Sequence, residues 1–229
     1  MLILALETSG FGGSIALLDD EHVLGERVLD AGRRHAQTLV PEIHSLLQEH
    51  HRKAAECELI AVSSGPGSFT GLRVGITCAK AMAYVTGAKL TAVPTFPCLA
   101  AGCPDDVNRV QVIMNAQRQE LFVGHFERHS ARSWCESRPL NIEKVAAWQE
   151  QLTADDAVTG PDLEALAETI SSRCRVLAPE FWQPQARWVG RLGLQYLQAG
   201  HGVTCWDLQP LYVRKSAAEE KWDATHPVS

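Results

Sequence analysis

The sequence predicts an α/β chain built from two copies of one unit, βββαβαβα, facing each other across a cleft. Three observations carry this. Short apolar runs bounded by turn residues alternate with longer segments of helical spacing. The order of these segments in the first half recurs in the second, without visible identity between the halves. A glycine-rich stretch, Gly65-Pro66-Gly67-Ser68-Phe69-Thr70-Gly71-Leu72-Arg73-Val74-Gly75, separates an apolar run from a long helical pattern. A strand entering such a turn and leaving it as a helix presents backbone N–H groups to an anion.

Taken in order, Leu2 to Thr8, Ser14 to Leu18 and His22 to Leu29 are predicted strands, joined by turns at 10–13 and 19–20. A helix follows from His35 to His50, with Leu39, Ile43, Leu46 and Leu47 on one face and Pro41 near its first turns. Leu59 to Ser63 is a strand. In the turn after it, Gly65 and Gly67 permit positive φ, Pro66 stiffens the chain, and Ser68 or Thr70 caps a helix over 69–86. Leu90 to Val93 is a short strand and Thr95 begins a helix towards Ala101. In the second half, Val110 to Asn115, Gln119 to Phe126 and Ser133 to Ser137 are predicted strands. Asn141 is expected to cap a helix carrying Val145, Trp148 and Leu152. Ala157 to Thr159 is a strand, and Pro161 opens a helix with Leu163, Leu166 and Ile170 on one face. Arg175 to Leu177 is a last strand, and an amphipathic helix over Ala186 to Ala199 is stopped by Gly200. The expected division is residues 1–103, residues 104–222 with the last helix returning to the first unit, and a disordered tail over 223–229. Duplicated domains of this kind form the actin-like (ASKHA, ribonuclease H-like) architecture shared with sugar kinases.

Composition narrows the partners. The 229 residues carry 21 Lys plus Arg against 27 Asp plus Glu, a formal charge of −6, which lacks the basic footprint needed to hold RNA or DNA alone. Seven cysteines without a C-x-x-C read as reduced, mostly buried thiols of a cytoplasmic protein. Met1 to Leu6 reads as a strand rather than a leader, and no apolar run approaches membrane-spanning length.

The chemistry-bearing residues are few. The glycine segment is not a Walker loop, because Leu72 and Arg73 follow Gly71 where Lys is required, and it is not a dinucleotide fingerprint, because Thr70 stands at the third glycine. Glu7, Thr8, Ser9, Gly65, Gly67 and Ser68 form the candidate phosphate- or nucleotide-facing set, with a strand-end hydrogen-bonding role as its alternative. His125 and His129 are four apart with Glu127 between them, but in a strand that spacing is about 13 Å, too far for one ion. No catalytic nucleophile with a base beside it is indicated, and no metal ligands are assigned. Gly71, Gly75, Ala79, Ala83 and Gly87 recur every four residues as a ridge of small side chains. Glycine weakens a helix by about 1 kcal/mol per residue, so the ridge implies close packing, either on the chain's own sheet or on a partner helix.

Four segments carry a resemblance to a known family: Leu2-Ile3-Leu4-Ala5-Leu6-Glu7-Thr8-Ser9, Arg34-His35-Ala36-Gln37-Thr38-Leu39-Val40-Pro41, the glycine segment, and Pro210-Leu211-Tyr212-Val213-Arg214. In this order and spacing, across nearly the whole chain, they resemble the bacterial TsaB (YeaZ) family, in the TsaD/TsaB branch of the actin-like ATPases. Glu7 stands where that family more often has Asp. The paralogue TsaD carries two metal-binding histidines four apart after the strand matching Leu90 to Val93; here Thr95 and Leu99 occupy those places. The resemblance implies a noncatalytic accessory subunit for N6-threonylcarbamoyladenosine (t6A), installed next to the anticodon of tRNAs reading ANN codons. In this scheme TsaD transfers the threonylcarbamoyl group and the ATPase TsaE resets the complex. TsaB scaffolds TsaD and meets tRNA only within the assembly. The resemblance further implies no tightly bound cofactor, with ATP or ADP at a complex interface. The implied partner surface comprises His35, Leu39, Phe69, Thr70, Gly71, Arg73, Gly75, Ala79 and Ala83, pairing with TsaD or, in isolation, with a second copy. An actin-like small-molecule kinase and a metal-dependent peptidase-like protein remain open as alternatives.

Overall fold

The computed structural model describes residues 1–10, 12–29, 35–130 and 133–213; the expected tail over 223–229, Arg34 and Arg214 lie outside them. The first half runs β1 (Leu2–Glu7), β2 (Ser14–Asp19), β3 (His22–Val28), α1 (His35–Glu49), β4 (Leu59–Gly65), α2 (Phe69–Thr86), β5 (Lys89–Pro94) and α3 (Thr95–Ala101). The second repeats the order with β6 (Arg109–Gln117), β7 (Glu120–Ser130), β8 (Ser133–Lys144), α4 (Val145–Gln151), β9 (Ala157–Thr159), α5 (Leu163–Ile170), β10 (Arg175–Val176) and α6 (Ala186–Gln198). The two sheets have the orders β3-β2-β1-β4-β5 and β10-β9-β6-β7-β8, which are the same order once repeat positions are matched. In each, a three-stranded antiparallel meander is extended by parallel crossover strands. The duplicated α/β fold expected from the sequence is present.

Both faces of the central strands are buried, β1 and β4 along their whole length and β2 up to Asp19, which explains why these strands read as continuous apolar runs rather than alternating ones. On β1, Leu2, Leu4 and Leu6 face a core shared with Leu39, Ile43 and Leu46 of α1 and Ile76 and Ala79 of α2. Ile3 and Ala5 face the opposite core with Ala186, Val189 and Leu194 of α6. In the second sheet, Val110, Val112 and Met114 pack with Phe96, Leu99 and Ala100 of α3, and Ile113 packs with Trp148, Leu163 and Ile170 of α4 and α5. The third helix of each repeat therefore covers the other repeat's sheet. This reciprocal exchange ties the halves together.

Three local expectations are corrected. Asn141 does not cap a helix: it lies in β8 opposite Val123, because the β7–β8 ladder runs on to Lys144, and α4 begins only at Val145. Pro161 is not the first helical residue; Gly160, at φ +136, turns the chain, Asp162 takes the N-cap position and α5 starts at Leu163. β8 is a long, largely exposed strand rather than the short Ser133 to Ser137 segment. Its polar side chains hid it, since backbone pairing with β7 does not depend on their burial.

Candidate functional site

The glycine turn is closed on the chain itself. Ser68 N donates to Ser9 O at 2.8 Å, and Ser68 Oγ accepts from Gly71 N at 3.2 Å, so Ser68 rather than Thr70 is the N-cap of α2. A β-carbon on Gly67 would lie 2.5 Å from Ser9 O, and one on Gly71 would lie 2.1 Å from Thr8 O. A β-carbon on Gly65, at φ +110, would lie 2.9 Å from Leu211 O. On the other side of the β1–β2 turn, Pro184 lies against Gly10, and Ser14 Oγ accepts from Ala186 N at 2.8 Å, which holds the start of α6.

The acid at the end of β1 is equally enclosed. Glu7 is fully buried; its carboxylate accepts from Ser9 N at 2.7 Å, from the Ser9 hydroxyl and from Gly10 N at 3.4 Å. Burial pushes the Glu7 carboxyl above its ordinary value, opposed by those hydrogen bonds. Of the set Glu7, Thr8, Ser9, Gly65, Gly67 and Ser68, the first four are buried and Gly67 is half-buried; the Glu7 carboxylate serves the chain's own hydrogen bonds, while Thr8 Oγ1 is buried without a hydrogen-bond partner. Only Ser68 of the six is exposed. The same enclosure settles the ridge. Gly71 and Gly75 abut Thr8, and Ala79 and Ala83 join the core behind them, so these four and Leu39 are internal packing residues, not partner contacts. Phe69, Thr70 and Arg73 do reach the surface; the His35 side chain lies outside the described residues.

What α2 and its surroundings present outward includes an aromatic set of which sequence reading named Phe69 but missed Tyr84, Trp206 and Tyr212. After α6 the chain returns to the first sheet. Val203 N donates to Leu90 O, Leu208 is buried in the first core, and Leu211 N donates to Ser64 O at 2.7 Å. This strap runs beside α2. At the start of α2, Tyr212 stacks on Phe69 with ring centroids 5.1 Å apart, while Arg73 lies 4.0 Å over Phe69 and donates from Nε to the Tyr212 hydroxyl at 3.0 Å. At its end, Trp206 meets Tyr84 edge-on at 6.2 Å. Tyr84, Val85 and Trp206 are 71–82% exposed, and α1, which lies against α2, exposes Val40. Scattered exposed apolar residues are ordinary, and a group of them along one helix and its strap makes this face the candidate interaction surface. The signal was present in the sequence: Tyr84-Val85 falls off the buried stripe of Leu72, Ile76, Ala79 and Ala83.

The metal question has a local answer. Thr95 and Leu99 sit one turn apart on α3, both buried, and neither offers the imidazole a metal site would need. Among the described residues no three His, Cys, Asp or Glu side chains converge. His125 and His129 are both on β7; His125 is half-buried, and burial followed by Arg138 pushes its pKa down.

A model of the family TsaD, tRNA N6-adenosine threonylcarbamoyltransferase, matches residues 29–173. The protein named tRNA threonylcarbamoyladenosine biosynthesis protein TsaB in Bacillus subtilis (strain 168) is 27% identical over 97% of this chain and 98% of its own length. Its namesake in Escherichia coli (strain K12) is 26% identical over 96% and 98%. The chain belongs to the TsaD family, on its TsaB (YeaZ) branch. YeaZ from Pseudomonas aeruginosa, at 25% identity, matches this TsaB-branch fold with a TM-score of 0.77 over 93% of this chain and 99% of that one. The activator of 2-hydroxyisocaproyl-CoA dehydratase from Clostridium difficile, with bound ADPNP, shares the fold alone, at TM-score 0.51 and 9% identity. Within the family, the Thr95/Leu99 pair does not fit a bound metal, and no step of chemistry is assigned to α3.

Proposed function

We propose that this chain is the noncatalytic scaffold subunit in t6A biosynthesis, pairing with TsaD to support threonylcarbamoyl transfer to tRNA in the cytoplasm. The observation that carries the reading is the aromatic face of α2 and its strap, laid over a glycine turn closed on its own backbone. The chain offers a binding surface where a catalytic relative would offer a reaction site. Phe69, Thr70, Arg73, Tyr84, Val85 and Trp206 form the contact, with α1 beside them. Used on a second copy, the same face makes a homodimer that TsaD displaces, since one patch cannot serve both at once. TsaE and tRNA join through the assembled complex, because a charge of −6 gives the lone chain no footprint for a polynucleotide. An adenine nucleotide enters at the interface with a partner rather than at Gly65–Gly67, whose neighbouring amide and carbonyls are already engaged.

The test mixes purified chain with TsaD. Co-elution, with transfer activity only in the mixture, is expected. A Tyr84→Ala, Val85→Asp double variant should lose co-elution while keeping its melting temperature. Full transfer by TsaD alone overturns the scaffold requirement, and undiminished co-elution of the double variant overturns the interface.

A further inference from the structure

At the end of the first sheet remote from the Glu7 turn lies a concavity of about 690 Å³. Its walls come from the β2–β3 turn, the segment after α3, β7, β8, the turn before α6, and α6 itself. Trp134, Phe181 and Trp188 supply aromatic surface, and Arg128 and Arg191 supply charge. Each arginine lies over a ring: Arg128 is 4.4 Å from the Trp134 centroid and Arg191 is 4.8 Å from that of Trp188.

The polar groups differ in how far the protein satisfies them. Arg128 is a structural anchor, donating to the carbonyls of Val107, Cys103 and Pro104. Arg191 donates only from Nε, to Glu21 O, so its two terminal nitrogens have no acceptor among the described residues. The indole N–H groups of Trp148 and Trp182 are bonded to Gln111 and to Leu177 O, whereas those of Trp134 and Trp188 have no acceptor among the described residues. The concavity thus combines stacking surface, two indole donors and a guanidinium with free donors. Gln195 adds an acceptor at the wall, and Asp105 lies there in an ion pair with Arg128 at 3.7 Å. A flat ring system bearing several acceptors and an amino donor, with one anionic group attached, matches all of these; a polyphosphate does not, because Asp105 and Glu21 share the lining. The size is within the usual range for a small-molecule site.

We infer that this concavity binds a purine nucleoside monophosphate moiety, the base stacking on Trp134 or Trp188 and the phosphate meeting Arg191. The moiety is a free mononucleotide, since the charge of −6 gives the lone chain no footprint for a polynucleotide. The site is separate from the α2 face and independent of the scaffold reading.

The test is calorimetry on the full chain, without TsaD, using adenosine, AMP and a short oligoadenylate. AMP is expected to bind at about millimolar strength or tighter. Arg191→Gln should weaken AMP while leaving adenosine unchanged, and Trp134→Ala should weaken adenosine and AMP alike by about 5-fold or more. Trp188→Phe keeps a ring but removes its N–H donor, and should weaken both ligands less than Trp134→Ala does. Unchanged melting curves establish that the variants are folded. Binding of AMP without the oligomer identifies a free nucleotide as the occupant; binding of the oligomer without AMP overturns it. No binding of any of the three, or binding indifferent to both Arg191→Gln and Trp134→Ala, overturns the inference.

Discussion

A methyl group added at Gly75 sets two effects of opposite sign against each other. Helix propensity favours Gly75→Ala by about 1 kcal/mol in mid-helix. Packing opposes it: the new β-carbon would lie 2.1 Å from Thr8 Oγ1 and 3.1 Å from both Thr8 Cβ and Cγ2. Ordinary contact lies at 3.4–4 Å, so the closest atom, at 2.1 Å, must retreat by well over 1 Å. Thr8 has no exposed surface and a stiff β-branched side chain, and overpacking of such a seam costs about 1–3 kcal/mol. A net loss of up to about 2 kcal/mol follows, a fall in Tm of up to about 8 °C for a chain of this length. Thr8→Ala removes the obstruction, and because Thr8 Oγ1 has no hydrogen-bond partner, its removal orphans nothing. The double variant should recover the propensity gain, giving a coupling of about 2 kcal/mol between two residues in contact. Circular-dichroism melting of the four proteins measures it. Gly71→Ala provides the contrast, since its β-carbon meets the Thr8 backbone oxygen at 2.1 Å and Thr8→Ala cannot relieve it. A rise in Tm for Gly75→Ala alone, or effects that simply add, would refute the inward packing of the ridge.

Other positions give sharper local tests. Ser14→Ala strips the buried Ala186 N–H of its acceptor and should cost about 1–2 kcal/mol, read as a lower denaturant midpoint without a change in slope. Gly160→Ala should abolish accumulation of folded protein, since its β-carbon would lie 1.9 Å from Ile113 O at a φ of +136; normal yield and Tm would contradict the close passage. Glu7 has its pKa raised above 4.5, so its contribution is fully present below that value and is lost as pH rises through the folded value; Glu7→Gln should gain on the wild type across that rise in pH-dependent melts. His125 has its pKa lowered below 6.5, so the neutral form is favoured on folding and stability is lost as pH falls through 6.5; His125→Gln should flatten the acid side of the same curve, and an unchanged profile would remove the assignment.

Much of the site was legible because backbone requirements leave marks in sequence. Gly65, Gly67 and Ser68 announced a strand-to-helix turn, since few other residues supply its φ values, close approach and cap. The direction in which that turn and the following ridge face was not legible. A stripe of Gly and Ala serves an internal seam or a partner helix equally well, and only Thr8 at 2.1 Å from the missing β-carbon of Gly75 decides between them. The strap was hidden for a related reason. Pro210-Leu211-Tyr212 has no periodicity, and its place beside Phe69 and Arg73, some 140 residues earlier, comes from the return of α6.

By itself the sequence determined the repeated βββαβαβα order, the turn chemistry and, through four motifs, the family, because local propensity and spacing are properties of contiguous residues. Only the tertiary structure decided that Glu7 and its neighbours are sealed by Ser9, Ser68 and Pro184, that the third helices are exchanged between sheets, and that the outward face of α2 is aromatic. Those outcomes rest on contacts between residues distant in the chain, set by how two sheets and their helices fill space together.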